Sequence, residues 1–217
     1  MSTAAWVSAI LTLLAILVAL FKDELIRLWR HPSLNVTIKL SPPDCHKTKL
    51  KVGNILGDCY DLRIRVENKG NLRADNVQVF AAKLFRQQAD GIFKEEEHFS
   101  PMNLVWSISK KSFTEGISPK MGMHCDLGHI FDPKKRIEAE RGHIEQIKEA
   151  ITILVLDLEA ARYSGVYKLT PGTYRLELKI AASNAKPITK TLEIYLTGEW
   201  YDSEERMFSD GIGLKLV

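Results

Sequence analysis

Between Ala4 and Phe21 the chain reads AAWVSAILTLLAILVALF, 18 residues without a charged side chain, and no other stretch restricts the possible architectures as much. A bilayer core about 30 Å thick is crossed by roughly 17 to 25 apolar helical residues, so the stretch predicts a single transmembrane helix. Its polar side chains, Ser8 and Thr12, can bond back to carbonyls of the same helix. A cleaved signal peptide would need a basic leading region and a small-residue cleavage site. Residues 1–5 carry neither Lys nor Arg, and Phe21 runs directly into KDELIRLW. A core helix of a soluble protein is disfavoured by apolar composition that is uninterrupted on all faces. The helical period continues through Leu25, Ile26, Leu28 and Trp29, with charged residues between them, until Pro32 ends it at His31.

Basic residues flank only one end of the span: Lys22, Arg27 and Arg30 follow it and none precedes it. Cytoplasmic flanks are enriched in Lys and Arg, so the expected placement is the inner membrane, single-pass, with the C-terminal bulk in the cytoplasm. Cys45, Cys59 and Cys125 are odd in number, widely spaced and without a CxxC pair, as expected of reduced thiols and not of a disulfide framework. Along the span, Ala5, Ser8, Thr12, Ala15 and Ala19 recur every three or four residues, forming one small-residue stripe. Small side chains let helices approach closely in lipid, so these residues are the candidate packing seam of a homo-oligomer or of a partner helix.

The rest of the chain divides into a domain over 33–198 and a tail over 199–217. With the five charged residues of the anchor segment set aside, 27 basic and 25 acidic residues remain, which leaves no electrostatic footprint for nucleic acid. LNVTIKL (34–40) alternates apolar and polar residues, as do CYDLRIRVENKG (59–70) and ADNVQVFAAKLF (74–85), and alternation predicts half-buried strands. PPDCHKTKLKVGNILGD reads as a loop. ITILVLDLE, GTYRLELKIAAS and KPITKTLEIYL supply three further strands. Between 133 and 150 the period changes: Asp132 can cap, Pro133 suits a first helical position, and Ile137, Ile144 and Ile147 share a face.

Short strands joined by turn residues predict an antiparallel β-sandwich. VENKGNLRADNVQV (66–79) resembles the strand–turn–strand signature of bacterial Ig-like domains of the cell-adhesion-related type, and LTPGTYRLELKIAASNA (169–185) is similar to a segment of many Ig-like and fibronectin-like domains. The resemblance implies a mainly β, Ig-like sandwich with one inserted helix, behind the transmembrane helix. Asn68, Gly70 and Asn71 are residues that tolerate the left-handed conformations of a tight turn, and Tyr174 sits where a tyrosine corner would bond back to a nearby backbone group. The anchor-plus-domain layout resembles membrane proteins of anti-phage defence loci.

Catalytic patterns are weak. His124, Cys125 and His129 in MHCDLGHI suggest a metal or Cys/His site, but alternation places His124 and Asp126 on one face and Cys125 and Leu127 on the other. Zinc sites pair their ligands at tight spacing, and no second pair, HExxH, GxSxG or P-loop pattern occurs. No catalytic, cofactor-binding or metal-binding residue is assigned, and no cofactor is expected. The tail EWYDSEERMFSDGIGLKLV gathers Trp200, Tyr201, Met207 and Phe208, which either pack back on the sandwich or dock a partner. Ile212, Leu214 and Leu216 alternate and suit strand addition. The combined expectation is a membrane-anchored, non-catalytic interaction or sensing module with unidentified protein partners. A membrane-perturbing defence effector and an extracytoplasmic adhesion domain are the alternatives.

Overall fold

The computed structural model describes residues 3–139, 150–160 and 165–217, and within the first helix, α1 (Thr3–Trp29), the side chains of residues 6–22. Apolar residues without a glycine or proline sustain this helix, and Thr12 Oγ1 donates to the Ser8 carbonyl at 2.9 Å. None of residues 6–22 is buried, and Trp6, Leu11 and Leu20 are more than 60% exposed. The expected transmembrane span is not supported. Among the described residues no helix is long and apolar enough to cross a membrane. The fold is therefore mainly β, two antiparallel sheets preceded by an apolar helix.

Thirteen strands follow among the described residues: β1 (Leu34–Thr37), β2 (Cys45–Val52), β3 (Ile55–Asn68), β4 (Ala74–Gln87), β5 (Phe93–Glu95), β6 (Met102–Asn103), β7 (Phe113–Ile117), β8 (Gly122–Phe131), β9 (Leu154–Leu156), β10 (Lys168–Leu169), β11 (Gly172–Ala182), β12 (Ala185–Leu196) and β13 (Ile212–Leu216). One sheet runs β1-β3-β8-β9-β10 with β2 also on β3; the other runs β13-β12-β11-β4-β5, with β6 and β7 on β4. Alternation decides the faces. Tyr60, Leu62, Ile64 and Val66 of β3 are fully buried and share one core with Val77, Val79 and Leu84 of β4 and Leu176, Leu178 and Ile180 of β11. Burial of each such aliphatic side chain contributes roughly 1.5–3 kcal/mol, and the two sheets enclose the core between them.

Differences from the sequence expectation have local causes. The segment read as a loop contains β2, paired with β3 from Cys45↔Leu62 to Val52↔Ile55 around Gly53 at φ +60°. Most of β2 is only partly buried, so it shows no apolar alternation. β1 ends at Thr37 because Lys39 N–H is taken by the Asp44 carboxylate at 3.0 Å, outside the ladder. β9 is confined to three residues, since its partner β10 has two and β8 meets it only at Gly128 and His129. The expected helix begins as foreseen at Pro133: Asp132 Oδ1 accepts from Lys134 N–H at 2.8 Å, and α2 (Pro133–Ala139) follows. Ile144 and Ile147 lie outside the described residues.

Candidate interaction surfaces

The junction between α1 and the sandwich is built on Asn68, the last residue of β3. It continues the core-facing parity of Leu62, Ile64 and Val66 and is fully buried. Its Oδ1 accepts from Ser33 N–H at 3.1 Å and Gly70 N–H at 3.0 Å, while Nδ2 donates to the Leu72 and Ile117 carbonyls at 2.7 and 3.0 Å. Both side-chain polar atoms are satisfied, as burial requires. The neighbouring Asn71 carboxamide accepts from His31 N–H at 3.0 Å. None of Asn68, Gly70 and Asn71 has positive φ, so the turn does not use their tolerance of left-handed conformations. Glycine is needed at 70 for a different reason: a Cβ there would lie 2.2 Å from the His31 carbonyl oxygen and 2.6 Å from Ser33 N. The parity of β3 was the signal in the sequence that a buried polar residue would fall at 68. A cleft of about 540 Å³ opens beside this junction, between His31–Leu34 and the β11–β12 hairpin.

Of the small-residue stripe, Ser8, Thr12, Ala15 and Ala19 are exposed on α1, and the Ala5 side chain lies outside the described ones. The aromatic tail residues sit elsewhere, against the sandwich. Tyr60 stacks at 5.1 Å from Trp200 and 5.6 Å from Phe208, and its hydroxyl donates to the Tyr201 carbonyl at 2.7 Å. Burial first, then Asp202 and Glu204, pushes the Tyr60 phenol up to about 12. Met207 is fully buried in the core. Lys47 ties the tail to β2: its N–H donates to the Glu204 carboxylate, and Nζ reaches the Asp202 carbonyl at 2.9 Å. Nζ also donates to Asp58, and this bond first of all holds that carboxyl below its ordinary value. Trp200, Tyr201, Met207 and Phe208 thus hold the tail in place, and Ile212–Leu216 becomes β13, paired with β12.

The charged and imidazole groups cluster on the outer face of the β1–β10 sheet. His124 Nε2 lies 2.9 Å from Asp44 Oδ1, and His129 Nδ1 lies 2.8 Å from Asp157 Oδ1. Lys110 Nζ donates to Asp126 Oδ2 at 2.5 Å, and Arg63 Nε forms an ion pair with Oδ1 at 3.3 Å without a hydrogen bond. The faces divide as alternation requires: Cys125 and Leu127 enter the core while His124 and Asp126 lie outside it. The MHCDLGHI cluster is therefore dispersed over two faces and two separate carboxylate partners. Among the described residues no group of three or more His, Cys, Asp or Glu is placed to hold a metal.

All three cysteines are free and fully buried. Burial pushes the Cys45 thiol up to about 12; the Cys59 and Cys125 thiols are also raised, by burial first and then by nearby carboxylates. A thiol is a nucleophile only as its thiolate, so none of the three has the environment of a reactive cysteine. In comparisons with known proteins, no family model, curated protein or solved structure matches this chain.

Proposed function

We propose that the chain is a non-catalytic interaction or sensing module that associates with further copies of itself through α1 and displays an Ig-like sandwich at the end of that helix. The observation that carries this reading is the exposure of α1: from Trp6 to Phe21 its apolar side chains are uncovered on every face. Contiguous apolar surface of that extent marks an association site. Ser8, Thr12, Ala15 and Ala19 offer the face along which two such helices approach most closely. Support for the Ig-like assignment comes from Tyr174, whose hydroxyl donates to the Thr170 carbonyl at 3.0 Å, the bond that defines a tyrosine corner. Unpaired, buried cysteines favour a reducing compartment for the domain.

Sedimentation equilibrium of the full chain in a mild detergent tests the reading. The wild type is expected to associate, Ala15→Leu combined with Ala19→Leu to weaken association, and Leu13→Ala combined with Leu17→Ala to matter less. A wild type that stays monomeric over the accessible concentrations, or a stripe variant that associates unchanged, overturns it.

A further inference from the structure

The second sheet is left open along one side by β13. Val217 N–H donates to the Thr191 carbonyl and Thr197 N–H to the Gly211 carbonyl, both at 3.0 Å, and these bonds bracket the β12–β13 ladder. Bonded and non-bonded pairs alternate in an antiparallel ladder. Glu193↔Lys215 and Tyr195↔Gly213 are then the bonded pairs, and Ile212, Leu214 and Leu216 direct their main-chain groups away from β12. The Ile212 N–H is already used, donating to the Met207 carbonyl. Among the described residues no strand lies beyond β13, so the Leu214 and Leu216 N–H groups and the carbonyls of Ile212 and Leu214 form an open edge. Such an edge is a template for another strand.

We propose that the occupant of this edge is the β13 of a second copy, joined antiparallel about Leu214 to make one sheet continuous across two molecules. This contact is separate from the α1 association above. The sequence of the strand carries the choice of partner. With Leu214 opposite Leu214 of the second copy, Ile212 falls opposite Leu216, and these side chains, buried or half-buried against the core, extend the apolar inner faces of both sheets. On the outer face the exposed Lys215 falls opposite Gly213 of the second copy, so the two lysines do not meet. Shifting the register by two residues in one direction sets Lys215 against Lys215, and like charges directly opposite destabilise a pair. Shifting it in the other direction leaves about three residues paired in place of five. An exposed lysine commonly guards an edge, but in the proposed register a glycine stands where that repulsion would arise.

The proposal is tested on the full chain carrying Ala15→Leu and Ala19→Leu, so that α1 association does not supply the signal, with residue-resolved hydrogen exchange over a concentration series. Two further variants set the sign. Gly213 has no positive φ, and a Cβ there would lie 3.5 Å from Tyr195 Cβ, an ordinary contact, so side chains fit without disturbing the β12 ladder. Gly213→Glu places a carboxylate opposite each Lys215 and is expected to move the protection midpoint of the Leu214 and Leu216 amides to about tenfold lower concentration, since two such pairs form per dimer. Gly213→Lys is expected to move it upward by a similar factor or to abolish protection. Amides of β11 and β12 should stay protected in every variant as the control for folding. Leu214 and Leu216 amides that exchange equally fast at all concentrations overturn the proposal, as does a shift in the same direction for the Glu and Lys variants.

Discussion

Replacing Asn68 tests how the junction between α1 and the sandwich is held. Asn68→Ala removes four side-chain hydrogen bonds at once, to Ser33 N–H, Gly70 N–H, the Leu72 carbonyl and the Ile117 carbonyl. Their partners differ in access to water. Ser33 and Leu72 are exposed residues, so losing those bonds costs about 0.5–1 kcal/mol each. Gly70 and Ile117 are buried, and an N–H or carbonyl left there without a partner costs about 1–3 kcal/mol. The expected loss is about 4 kcal/mol, read as a lowered midpoint in urea unfolding of the full chain, with buried Trp106 as the fluorescent reporter. Asn68→Asp keeps the shape and both accepted bonds but turns a carboxylate toward two carbonyls. Burial there raises the carboxyl's pKa, so this variant should lose stability as pH rises above about 4 and regain part of it, relative to wild type, on acidification. A loss below about 1 kcal/mol for Asn68→Ala would mean that water replaces the amide, and the reasoning from a sealed site would fail.

Three further outcomes are expected. Tyr174→Phe removes the bond to Thr170 and should cost about 1 kcal/mol, whereas Tyr174→Ala also leaves a cavity at a residue that is 3% exposed and should cost about 3 kcal/mol or more; equal unfolding midpoints for wild type and Tyr174→Ala would remove the tyrosine corner as a fold determinant. The Tyr60 phenol, raised to about 12, favours the neutral form in the folded state, so its contribution is complete below about pH 10 and is lost as pH rises toward 12. Stability should fall by on the order of 2 kcal/mol across that window, and Tyr60→Phe should flatten the slope; an unchanged slope would assign it to other groups. Cys45, Cys59 and Cys125 should resist a maleimide in the native state and all react in denaturant, because each is fully buried with a raised thiol pKa; fast native labelling at any of them would contradict the packing.

The strands that share the core on one face were legible because alternation is a local property: it runs through Leu62–Asn68 of β3, Val77–Ala81 of β4, Tyr174–Ile180 of β11 and Leu192–Leu196 of β12. Elements whose pairing is set from outside were not. β2 lies at a sheet margin with few buried residues, and in β8 the alternation legible over His124–Leu127 breaks at Gly128, where the register on β3 shifts between Leu62 and Arg63. The parity of β3 carries the burial of Asn68, but not its role as a hub, because its partners at Ser33 and Ile117 are distant in sequence. Composition overstated the N-terminal helix as a span: among the described residues no helix is long and apolar enough to cross a membrane, and uncovered apolar side chains are consistent with association as well as with lipid. The tail's aromatics were recognisable, but that they pack on Tyr60 depends on a contact across about 140 residues.

Self-association through α1 is tested most directly by cysteine cross-linking along the helix in the full chain, since the three native cysteines are buried and need not be removed. Single substitutions Ser8→Cys, Thr12→Cys, Ala15→Cys and Ala19→Cys are to be compared with Leu13→Cys and Leu17→Cys under mild oxidation. Covalent dimers are expected at the first four positions, with a period of three to four residues, and few at the other two. Dimer yields that are negligible throughout, or equal on all faces of the helix, would contradict it.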